Sequence, residues 1–271
     1  MQSGVTYYRD PLGVGIVVGA LLGAAAHAAA QTTPPNPHDA QPERPSVATH
    51  AFTVAPGWIE IEGGMEFDRY PGHAHGQTAP LVAKIGVTPR THLEVQTPIV
   101  HSAGLHAAAG DLLVGVKWRA LEDAPVVASF ALFPTVKFPT GSTSDGAGTG
   151  TTDLGIVLIS SRGLGSVSLD VNVGLVHRIG HHVLAPRDSR MWALSFGGPL
   201  RGPVGWGAEL YGFPHTSGAP GDESVVATLF GPTMKIRGWL VVDAGAIVPI
   251  TGPQPNALYA GGVYNIGRLA P

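Results

Sequence analysis

The sequence contains no cysteine. That excludes a disulfide framework, thiol catalysis, thiolate metal ligands and the lipidated Cys of a bacterial lipoprotein. Charge is also scarce: Asp, Glu, Lys and Arg make up 13% of the 271 residues, about half the share usual in soluble proteins. The net charge of -3 carries no basic excess, so nucleic acid is not an expected partner. No apolar run reaches the ~20 residues that a spanning helix needs, so any crossing of a membrane falls to strands. Abundant instead are glycine (38) and proline (24), set among short stretches of alternating character.

The N-terminus reads as an address. Arg9 lies in a short polar stretch, residues 14–26 are apolar, and Ala26-His27-Ala28 and Ala28-Ala29-Ala30 offer small-residue cleavage sites. Residues 1–30 are therefore expected to be a cleaved signal peptide; the other reading, an uncleaved anchor, suffers from the shortness of the apolar run. Residues 31–55, with Pro34-Pro35-Asn36-Pro37, have a linker composition and are expected to form a flexible Pro-rich periplasmic segment.

From residue 56 onward, stretches of about ten residues alternate apolar and polar side chains. Over 58–68, Ile59, Ile61, Met65 and Phe67 fall on one face, with Glu60, Glu62, Glu66 and Asp68 on the other. A helix reading fails, because period-two alternation scatters apolar residues around a 3.6-residue turn. Residues 167–178 repeat the division. Further strands are expected over 78–88, 91–100, 111–121, 126–138, 152–161, 191–198, 204–213, 224–236, 238–250 and 257–269, about twelve in all. The links alternate in length. Those at 70–77, 101–110, 139–151, 179–190, 214–223 and 251–256 are mostly long and rich in Gly, Pro and Ser; those at 89–90, 122–125, 162–163, 199–203 and 237 are short. An outer-membrane barrel sorts its loops in this way, long outside and short on the periplasmic side. The expectation is an all-β protein in which residues 56–271 form a closed antiparallel transmembrane β-barrel of about twelve strands in the bacterial outer membrane.

The segment opening on Gly110-Asp111, with Lys117, Lys137-Phe138-Pro139-Thr140-Gly141, a Gly-rich loop and then Asp153, resembles the outer-membrane transporter-like family named for the meta pathway of phenol degradation. Pro56-Gly57 with Glu60 and Glu62 is similar to that family's opening strand. The resemblance implies an outer-membrane barrel admitting small organic molecules. The chain departs from the usual barrel pattern at its end, where Leu269-Ala270-Pro271 replaces a terminal aromatic and the nearest aromatic is Tyr264.

Strand parity directs Glu60, Glu62, Glu66, Glu94, Asp153, Asp170, Glu209 and Asp243, with Lys117, Arg119, Lys137, Arg178 and Lys235, toward the interior. Unpaired charge facing lipid would be costly. These residues either line a charged solute path or fill the lumen with ion pairs. Trp58, Trp118, Trp192, Trp206 and Trp239 near strand ends read as interfacial girdles. His73, His75, His101, His106, His181, His182 and His215 fall in or beside long loops, either solvated or, as in His73-x-His75, able to ligate a metal; no spacing is specific. The Gly141 to Gly150 stretch lacks the Lys and the following helix of a phosphate cradle. Ser129, Ser160, Ser168 and Ser195, with His92 and His177, have no Gly-x-Ser-x-Gly context, so no enzyme is expected. The expected function is passive or facilitated passage of small solutes, hydrophobic or aromatic ones among them. A non-conducting structural barrel and a lipid-modifying barrel enzyme are the alternatives. Membrane lipids, small organic solutes and the outer-membrane assembly machinery are the expected partners, and no cofactor is called for.

Overall fold

The structure, a computed structural model, describes residues 36–70, 75–102, 104–180, 186–214 and 224–269. The expected signal peptide and His73, His181, His182 and His215 lie outside them. Twelve long strands follow one another: β1 (Trp58–Arg69), β2 (His75–Thr88), β3 (Thr91–Ser102), β5 (Leu112–Ala124), β6 (Ala128–Phe138), β7 (Thr152–Leu164), β8 (Val167–Ile179), β9 (Asp188–Arg201), β10 (Val204–Phe213), β11 (Val225–Arg237), β12 (Leu240–Thr251) and β13 (Asn256–Arg268). A two-residue strand, β4 (Ala108–Ala109), pairs with the outer end of β3. Each long strand pairs antiparallel with its sequence neighbours, and β13 returns to β1. Closure leaves no open edge, which is what a sheet surrounded by hydrocarbon requires.

Several strands outrun their sequence-based limits. Strand β7 continues through Leu164, where a turn was expected at 162–163, and β9 continues to Arg201. The β7–β8 turn sits instead at Gly165 (φ +66°), and the β9–β10 turn, within the expected 199–203 link, narrows to Gly202 (φ +58°) and Pro203, because a tight hairpin needs a left-handed residue that glycine supplies without strain.

The two faces follow the alternation. Ile61, Phe67, Leu93, Val95, Leu154, Ile156, Leu158, Val173 and Leu175 are exposed on the outer face, while Glu60, Glu62, Lys84, Glu94, Lys117, Arg119 and Asn172 are buried within. Trp118 faces outward, as a girdle residue does. Trp58 and Trp239 do not fit that description alone. They close on the ring of His38, at centroid distances of 4.8 and 6.1 Å.

His38 belongs to the largest departure from the sequence-based picture. Residues 36–55 do not hang free of the barrel. They start beside Gly238 and Asn265 at the short-turn rim, fold into the lumen, and return to the rim beside Gly86 and Pro89. Their composition suggested nothing to bury. What is bound, however, is chiefly the backbone, whose N–H and C=O groups are as demanding as any polar side chain. The wall makes room for them: a Cβ at Gly86 would lie 1.9 Å from the Ala55 carbonyl oxygen, and one at Gly261 would lie 1.8 Å from an Arg44 guanidinium nitrogen.

Candidate functional site

The inward charges form three tiers, and strand register sets the partners in each. On the short-turn side, Lys84 stands opposite Glu60 on β1 and Glu94 on β3. Its ammonium lies 2.7 Å from Glu60, pairs with Glu62, and is 3.7 Å from Glu43 of the internal segment. Lys117 pairs with Glu43 and donates to the Thr49 hydroxyl (2.6 Å) and the His50 carbonyl (3.1 Å). Arg119 faces inward as expected but serves the rim, bonding Glu122 at 2.6 Å and the Pro89 carbonyl at 3.0 Å, with its guanidinium over Phe52.

The middle tier grips the segment by its main chain. Glu60 accepts from the Gln41 N–H (2.6 Å), and Glu62 from the N–H groups of Glu43 and Arg44. Glu209 accepts from Val47 and Ala48 (2.9 and 3.1 Å). Asn172 bonds both the N–H and the carbonyl of Thr49, and Ser161 accepts from Ala51 while donating to Asp170. Arg44 runs along the wall over Gly64 and Gly261 to Asp243 at 2.9 Å, both side chains being almost fully buried. Lys235, by contrast, is exposed and reaches Asp39 at the rim.

The third tier lies at the long-loop mouth and gathers most of the residues that carry the family resemblance. Lys137 on β6 faces Asp153 on β7, and Asp153 faces Arg178 on β8. Lys137 lies 2.8 Å from Asp111 and 3.1 Å from Asp153, and Arg178 lies 3.6 Å from Asp153. Asp111 also accepts from the N–H groups of Gly141 and Thr149 and from the Thr149 hydroxyl, which ties the 139–151 loop to the rim. Burial pushes the Asp111 carboxyl up, but the Lys137 ammonium and the N–H donors outweigh it and hold it below the usual aspartate value.

Between the upper tier and the internal segment lies a cavity of about 280 Å³, with Glu43, Arg44 and residues 45–47 and 49 on one side and Glu66, Thr78, Val82, Glu94, Gln96, Phe133 and Val157 on the other. Glu66 and Glu94 are thus the acids of this cavity that pair with no Lys or Arg among the described ion pairs.

Glu43, His92 and Glu94 bring potential ligand atoms within 4.8 Å of one another, the one such group of three among the described residues. Its chemistry is poor for a metal. The Val54 N–H donates to His92 Nδ1, which leaves the ring proton on Nε2 and no lone pair there, and Glu43 already carries two ammonium groups. Of the loop histidines, His75, His101 and His106 are not brought together with a second ligand in that group. Ser160 and Ser168 donate to the backbone carbonyls of Val127 and Gly197, while His177 pairs with Asp188.

Sequence reasoning omitted Lys84, although its place on the inward face of the 78–88 strand was readable. It also had no access to Glu43 and Arg44, since no periodicity marks them.

No protein-family model matches this sequence, and no characterised protein matches it at the level of sequence. Solved structures do. The KdgM porin, solved in complex with disordered oligogalacturonate, superposes with a TM-score of 0.52 at 10% identity, covering 76% of this chain and 98% of that one. The NanC porin superposes with the same TM-score at 9% identity and covers the same shares. At such identities the likeness is one of fold, and that fold is the closed antiparallel barrel of outer-membrane porins.

Proposed function

We propose that this chain is an outer-membrane channel giving small organic solutes passive passage, and that residues 36–55 hold its lumen shut in the state described here. The observation that carries the reading is that the same strands bear an apolar outer face and a charged, cavity-containing inner face, an arrangement suited to hydrocarbon outside and solute inside. The resemblance around Lys137-Phe138-Pro139-Thr140-Gly141 supports aromatic molecules among the solutes, and export through a cleaved signal peptide followed by insertion by the outer-membrane assembly machinery belongs to the same reading. The upper-tier charges at the mouth and the acids below them would set selectivity.

The absence of native cysteine makes the test clean. Ala51 N lies 2.8 Å from Ser161 Oγ, so Ala51→Cys with Ser161→Cys is expected to lock the segment to the wall when oxidised. In a planar bilayer, the refolded mature chain should show discrete openings that small aromatic solutes block. The oxidised double variant should stay shut, and reduction should restore the openings. A second reading, a non-conducting structural barrel, is favoured by the completeness with which the segment's backbone is bonded. A folded, heat-modifiable barrel that never conducts, locked or unlocked, would establish it over the channel.

A further inference from the structure

We infer that the cavity beside residues 43–49 is a binding site for a small organic cation, an ammonium group borne on an apolar or aromatic body. As the selector of what passes, the site rests on the channel reading; as a binding site it does not.

The charge arrangement leads to this class of ligand. Every base near the cavity is already engaged: Lys84 with Glu60 and Glu62, Lys117 with Glu43, and Arg44 with Asp243. The acids are not all engaged. Glu94 is 2% exposed; one of its oxygens accepts from Gln96, while Oε2 has no hydrogen-bond partner and only the His92 ring 3.4 Å away. Glu66, across the cavity, makes no ion pair among the described residues: Asp68 opposes its charge, and Arg44, the one cation that acts on it, is bonded to Asp243. Lys84 and Lys117 act on Glu94 only at longer range, their ammonium groups being bonded to other acids; a buried carboxylate with no counter-charge bonded to it is costly, and a ligand carrying N–H donors and a positive charge relieves that cost directly.

The rest of the lining shapes the ligand. Val82, Phe133 and Val157 give an apolar flank and a ring face, and Gln96 and Thr78 add polar groups. At about 280 Å³ the space is near the lower end of ligand pockets, roughly 300–1,000 Å³, which suits a single ring with a short ammonium arm. Phe133 already lies 5.4 Å from the Lys117 ammonium, so its π system faces a cation in this lumen. A divalent metal is the poorer occupant, because the His92 tautomer and the two ammonium groups on Glu43 oppose it.

Titration calorimetry on the refolded chain in detergent micelles, with benzylammonium as the probe and benzyl alcohol and benzoate as neutral and anionic controls, tests the assignment. Benzylammonium should bind, and the controls should not. Glu94→Gln should weaken binding by about tenfold or more, as expected for losing a charged hydrogen bond, and Glu66→Gln should weaken it several-fold, providing an independent variant should the first fail to fold. Equal binding of benzyl alcohol, displacement of the probe by Zn²⁺ at micromolar concentration, or no binding at all would overturn the assignment. Bilayer currents separate this from the channel reading. Benzylammonium binding in a barrel that never conducts would uphold the site and remove the channel, whereas openings that benzylammonium neither blocks nor binds would uphold the channel and remove the site.

Discussion

At the scale of single residues, the chemistry is that of carboxylates whose partners are specified by strand register. Asp111 shows how far one side chain can organise a loop, since it holds Lys137, Gly141 and Thr149 together. Its carboxyl sits below its ordinary value, which for an unfolded aspartate is about 3.9. The folded form therefore binds the proton less readily than the unfolded form does. The stability this contributes is fully present above the unfolded value and is lost as pH falls through the folded one. Residues 139–151 should accordingly resist proteolysis at neutral pH and become cleavable only in acid below about pH 4. Asp111→Asn should make them cleavable at neutral pH and flatten the acid transition. A cleavage pattern unchanged by the substitution would show that the loop is held by other contacts.

At the scale of elements, the internal segment and the strands illustrate what sequence does and does not disclose. Alternation such as that of Glu60 and Glu62 against Ile59 and Ile61 made the strands legible, because a barrel wall separates two solvents and each strand records both. The inward set, including Glu209, Asp170 and Asp243, was legible for the same reason. Their partners were not. Thr49 and Asn172 are 123 residues apart, and the contact depends on how the whole barrel closes. Nor did the segment show a regular stripe: its buried Ala48, Ala51, Phe52 and Val54 follow no strand or helix period, and the wall binds much of it through its backbone. Arg44 is one of its deep side-chain anchors, beside Glu43, and the geometry predicts how it acts. Breaking a buried ion pair by removing one partner typically costs about 3–5 kcal/mol, whereas replacing both with apolar groups is often neutral. Arg44→Met should leave Asp243 unpaired and favour withdrawal of the segment, raising channel opening on the order of tenfold or more. Arg44→Met with Asp243→Leu should return opening toward that of the parent chain. If the double variant opens as freely as the single one, the pair does not hold the segment.

At the scale of the whole molecule, the barrel keeps two kinds of stability apart. The hydrogen-bonded ring of twelve strands is complete without residues 36–55, because every long strand is paired on both sides by other strands. Withdrawal of the segment can therefore proceed without opening the wall, which is what a reversible closure requires. The outer face is bound by a different condition, the solvent it meets. Leu158 lies midway along β7 on that face and is 41% exposed. In a bilayer, Leu158→Arg places a charge near the hydrocarbon midplane and should destabilise the barrel by about 2–4 kcal/mol in urea titrations from lipid vesicles. Thr78→Lys, directed into the cavity and opposite Glu66, should cost far less, because there the new charge meets an acid. Equal tolerance of both substitutions would mean that the apolar face does not meet lipid, and the outer-membrane assignment would fall with it. The contrast between these two positions, one apolar and one polar by the alternation of the sequence, tests whether a single pattern of side chains determines both where the protein resides and what it can enclose.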